Sequence, residues 1–135
     1  MIEKDYFIRL IQQLFDAIQR IANNIDTNET EKAKQQLTDS YALLGIDAQF
    51  FRTGTKDELV TFIQLEENGS LKKIHIVAEL LFLDAELQTD IATKIKILNA
   101  SKSLFEYYLN ESKEYSFETQ NKLTQINLEL NLLTS

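Results

Sequence analysis

Proline is absent from all 135 residues, and the three glycines, Gly45, Gly54 and Gly69, each stand where an apolar-periodic run stops. Proline inside a helix removes a backbone donor and clashes with the preceding turn, whereas glycine weakens a helix interior but suits its C-terminal end. A chain written this way is expected to fold almost entirely as α-helix. Its length is that of one domain able to bury a core of its own, so a single all-helical domain over residues 1–135 is expected.

The apolar spacing places the helices. From Ile2 to about Ile25, Phe7, Ile8, Ile11, Leu14, Phe15, Ile18, Ile21 and Ile25 recur at three- and four-residue steps. Adding Tyr6, Leu10 and Ala17 widens the apolar arc to roughly 200° at about 100° per residue, so this helix must be covered from two sides, by its own neighbours or by another subunit. Asp26 to Asn28 supply turn and N-cap residues for a second, narrowly amphipathic helix carrying Ala33, Leu37, Tyr41 and Leu44. Gly45 fits the left-handed position that ends it, with Ile46 returning onto Tyr41. Asp47 can cap a short turn holding Phe50 and Phe51, and Thr55-Lys56-Asp57-Glu58 is a capping box for a helix with Leu59, Phe62 and Ile63 inward.

From Ser70 to Gln88 apolar residues occupy nearly the whole circumference, which marks a central helix. It should form an antiparallel hairpin with Asp90 to about Asn110. Ser116 can cap a last helix whose narrow stripe is Leu123, Ile126, Leu130 and Leu133. The expected architecture is therefore all-α, stacked antiparallel hairpins or an irregular bundle, with five long helices plus short turns.

Charge narrows the partners. With 14 Lys+Arg against 21 Asp+Glu the formal net charge is -7, and the one adjacent basic pair, Lys72-Lys73, is no cationic stripe, so neither nucleic acid nor an anionic membrane surface is expected as a partner. No apolar stretch approaches the roughly 20 residues of a spanning helix. The start, Met1-Ile2-Glu3-Lys4-Asp5, lacks the basic and apolar regions of an export signal, so cytoplasm is the expected compartment.

No constellation points to chemistry. His75, Glu79 and Glu86 share one face of the central helix, but a helical di-metal site needs more than the single histidine present, and no metal or other cofactor is expected. Asp84, Glu86 and Asp90 cluster near one helix end and read as a solvated face. There is no Gly-x-Ser-x-Gly elbow, no cysteine and no glycine-rich phosphate loop, so no catalytic residue is assigned and the chain is expected not to be an enzyme. The aromatic doublets Phe50-Phe51 and Tyr107-Tyr108 each point one ring inward and leave the other either to complete the core and its rim or to face a groove, a flank or a partner.

The segment Asp5-Tyr6-Phe7-Ile8-Arg9-Leu10-Ile11-Gln12-Gln13-Leu14, with Tyr41-Ala42-Leu43-Leu44-Gly45-Ile46-Asp47, Glu58-Leu59 and Ala78-Glu79-Leu80-Leu81, resembles an uncharacterised family of small bacterial all-helical proteins with TPR-like helix hairpins. The resemblance implies a helical fold and no particular activity. The TPR pattern of small residues at fixed spacing, an opening Trp and a closing Pro is missing. The residues point to a non-enzymatic intracellular protein–protein interaction module, an adaptor or scaffold with a protein or peptide partner. Tyr6, Leu10, Phe50, Phe51, Tyr107 and Tyr108 are its candidate partner-facing residues. One alternative is an obligate homodimer joined through the first helix, and a weaker one is a small-molecule or enzyme site in a groove near His75 and Tyr107.

Overall fold

A computed structural model describes residues 2–45, 48–65, 71–112 and 116–135. Among them the chain forms seven helices: α1 Ile2–Asp26, α2 Thr30–Leu43, α3 Ala48–Thr53, α4 Lys56–Leu65, α5 Leu71–Leu87, α6 Ile91–Ser112 and α7 Phe117–Thr134. The architecture is an all-α bundle. The helix count differs from the expected five long helices with turns: the segment holding Phe50 and Phe51, expected as a short turn, is a helix of 6 residues, and the helix expected after the capping box is a short one of 10.

The ends of the helices follow from backbone donors and acceptors that need partners. Asn28 does not cap α2 but closes α1, in the left-handed region at φ 61, while Glu29 N donates to Asn24 O. Asparagine serves either purpose, and here the left-handed stop wins. Gly45 takes φ 88 after α2 and donates to Ala42 O, as its position predicts. The expected contact of Ile46 with Tyr41 and the cap from Asp47 lie outside the described residues. Thr55 and Glu58 form the reciprocal capping box, Thr55 N to Glu58 Oε1 at 3.1 Å and Glu58 N to Thr55 Oγ1 at 3.2 Å. Asp90 caps α6 by accepting from Thr93 N at 2.9 Å, and Ser116 caps α7 by accepting from Thr119 N at 3.2 Å.

α5 is the centre. Ile74, Ile76, Val77, Ala78, Leu80, Leu81, Phe82, Leu83 and Ala85 are all buried on it, which is why its sequence shows so little amphipathicity. α6 runs antiparallel beside it, and the small pair Ala78 and Ser101 lets the backbones approach, with Ser101 Oγ donating to Ala78 O at 2.8 Å. α7 lies on α6 and runs in the same sense as α5: Lys122 sits over Phe82 and Glu129 meets Glu86. α1 packs against both α2 and α5, so most of its wide apolar arc is covered within the chain, Tyr6 and Ile8 staying exposed. Leu10, Ile11, Leu14, Ala17, Ile18 and Ile21 are buried there.

α4 buries Leu59 and Val60 and half-buries Phe62, whereas the side chain of Ile63 falls outside the described residues. α7 buries only Thr119 and Ile126, with Leu123, Leu130 and Leu133 partly covered. No helix among the described residues is long and apolar enough to cross a membrane.

Candidate functional site

The single histidine sits at a junction of three helices. His75, on α5, stacks on Tyr108 of α6 with ring centroids 4.6 Å apart and planes at 21°, and meets Phe15 of α1 and Phe105 of α6 edge-on at 5.6 and 6.1 Å. Burial in this aromatic cage disfavours the imidazolium and pushes its pKa down, with Glu118 opposing and Lys122 reinforcing the shift. Glu79, one turn on, has its carboxyl pushed up by the same loss of water, and its Oε1 stands 3.9 Å from His75 Nε2, too long for a hydrogen bond.

These two residues form the floor of a cleft of about 380 Å³ whose walls are α1 and α7. Phe15, Ile18 and Gln19 line one wall; Glu118, Asn121, Lys122 and Gln125 line the other. Lys122 is steadied by its ammonium resting 4.6 Å from the centroid of the Phe82 ring. Asn121 and Gln125 stand one helical turn apart on one face of α7, opposite Gln19. Among the described residues the lining holds no serine, threonine or cysteine. The cleft can offer amide donors and acceptors, a mixed pair of charges and an aromatic floor.

The aromatic candidates are scattered. Tyr6 is 67% exposed, but Leu10 is buried against its own chain, and Phe51, 1% exposed, stacks on Tyr41 at 4.8 Å. Leu10 and Phe51 are core residues rather than partner-facing ones, because the neighbouring helices α2 and α5 in one case and Tyr41 in the other already cover them. Phe50 is half-buried against Phe62 at 5.6 Å. On α6 it is Tyr108, not Tyr107, that packs on His75, and neither tyrosine lines the cleft. The groove beside His75 therefore lies on the α1 and α7 side rather than beside Tyr107.

Two carboxylates differ from their expected solvated state. Asp84 is 1% exposed and accepts three hydrogen bonds, from Tyr41 Oη at 2.7 Å, Arg52 Nε at 2.8 Å and Gln88 Nε2 at 2.8 Å. Burial, and then the Asp84 charge, raises the Tyr41 phenol well above its usual range, so it remains a donor. Glu86 faces Glu129 across α5 and α7; burial first and this neighbour second push its carboxyl up to about 7. Asp90 alone of the three is an exposed cap. The signal for Asp84 was its position inside Leu80-Leu81-Phe82-Leu83-Asp84-Ala85, a lone charge within an apolar run.

Among the described residues no group of three or more His, Asp or Glu side chains comes together to hold a metal ion. No protein-family model, curated protein or solved structure is significantly similar to this chain.

Proposed function

We propose that the chain is a non-enzymatic cytoplasmic interaction module, its helix hairpins stacked in a TPR-like manner, that takes a peptide segment of a protein partner in the cleft between α1 and α7. The observation that carries this reading is the row of carboxamides: Gln19 on one wall and Asn121 and Gln125 on the other, all exposed and all lining one cleft. A carboxamide both donates and accepts, so one on the α1 wall and two on the α7 wall can match the alternating N–H and C=O groups of a peptide backbone. The half-buried His75 and Phe15 beneath supply apolar contact for one side chain of the bound segment.

A random peptide library presented to the protein tests the reading. Enriched sequences are expected to shift the amide resonances of the cleft residues and to lose binding in the Gln19→Ala, Gln125→Ala double variant, which removes only exposed groups. Failure to enrich any sequence, or enrichment indifferent to that variant, overturns it. Assembly as a homodimer through α1 is the second reading, and what favours it is Tyr6, 67% exposed near the start of that helix.

A further inference from the structure

At the other end of the α5–α6 hairpin a second cleft, of about 350 Å³, opens over the Asp84 network, and its charged lining differs from that of the first. Its polar lining is Gln49, Arg52 and Thr53 from α3, Gln88 after α5, and Thr93 and Lys96 from α6. Among the described residues two cations and no carboxylate line it, in a chain whose formal charge is -7. Among the described residues the carboxylates close by are both engaged: Asp84 lies buried behind Arg52 and takes three donors, while Asp90 accepts from Thr93 N and Thr93 Oγ1 at 2.9 and 2.6 Å.

The Arg52 side chain is prepared rather than free. Asp84 holds its Nε–H at 2.8 Å, and its side chain is 28% exposed, so the guanidinium is fixed in orientation while part of it still reaches the cleft. Among the described residues its remaining N–H groups have no other partner. Gln88 is fixed too, because its Nε2 donates to Asp84 Oδ1. Lys96 makes no ion pair among the described residues and stands exposed on the opposite wall. A planar guanidinium locked at one nitrogen, with a lysine facing it and carboxamide and hydroxyl groups between, is a donor set for a bidentate oxyanion.

We propose that this cleft is a binding site for a small molecule bearing an oxyanion, a phosphate or a carboxylate group, held between Arg52 and Lys96. The buried Asp84, with Tyr41 and Gln88 on its other lone pairs, positions the arginine and does not touch the ligand. The site is independent of the α1–α7 cleft, which shares none of its residues.

The test is a titration of isotope-labelled protein with inorganic phosphate, and separately with acetate, at an ionic strength held constant with chloride. Saturable amide shifts confined to α3, Gln88 and the first turns of α6 are expected, together with a shift of the Arg52 Nε–H resonance. A stronger response to phosphate assigns the site to phosphate-bearing ligands, and a stronger response to acetate to carboxylates. Lys96→Gln, an exposed change that leaves the Asp84 network whole, should weaken binding about tenfold, the loss of one charge-assisted contact. Arg52→Lys, which keeps a cation beside Asp84 but removes the fork, should weaken it at least as much. If neither anion shifts these resonances beyond chloride, or if Lys96→Gln binds phosphate and acetate as the natural chain does, the site does not exist.

Discussion

Three donors on one buried carboxylate make Asp84 a point where single atoms matter. A hydrogen bond to a charged group contributes about 1.5–3 kcal/mol, so Tyr41→Phe, which removes the 2.7 Å bond to Asp84 Oδ2 while keeping the ring stacked on Phe51, should destabilise by about that amount in urea denaturation. No loss at all would mean that the phenol is not paired in solution. Packing gives a second contrast at this scale. Leu81 is fully buried in α5 and Leu128 is 60% exposed on α7; Leu81→Ala should cost about 2–5 kcal/mol and Leu128→Ala under about 1 kcal/mol. Helical periodicity placed both leucines, because each position is a local property of its own helix. It could not place the partners of Asp84, since Tyr41 and Arg52 lie 43 and 32 residues away, and phase along one helix says nothing about which distant donor arrives.

Helix caps at Thr55-Glu58, Ser116 and Gly45 were readable for the same local reason, each acting within four residues of itself, whereas Asp90, read as part of a solvated acidic face, also proves to be a cap. Less readable was how α7 meets α5, where two acidic helices bring Glu86 and Glu129 together. Glu86 is faced by Glu129 and Lys122 from α7 and by Lys94 from α6. Its carboxyl, raised from 4.5 to about 7 by burial and then by Glu129, binds more protons folded than unfolded, so its contribution to stability is intact below about 4.5 and is lost as pH rises through 7. His75 acts in the other direction, because burial lowers its pKa and stability is lost as pH falls and the imidazole must charge. Glu86→Gln isolates the first effect. The variant should be more stable than the natural chain at pH 8 by on the order of 1 kcal/mol, the figure being held down by solvent screening of a partly exposed group, and by much less at pH 5. A gain of equal size at the two pH values would show that Glu86 is not the titrating group.

At the scale of the whole molecule the question is whether the chain needs a copy of itself. The roughly 200° apolar arc of α1 asks for cover on two sides, and α2 and α5 supply it, leaving Leu10 and Ala17 buried without a second subunit. The exposed large apolar side chains described on α1 are Tyr6 and Ile8. Two residues apart on a helix they point about 200° from one another, so they do not form one patch, whereas a stable interface buries about 800 Å² on each partner. The expected state at micromolar concentration is therefore a monomer, read directly as mass by light scattering. Leu10→Asp should unfold that monomer, since it places an unpaired charge among α1, α2 and α5, and Tyr6→Asp should leave it folded with unchanged mass. A dimer mass in the natural chain that falls to half in Tyr6→Asp, with helicity retained, would instead establish assembly through α1 and make the first turns of that helix the working surface of the protein.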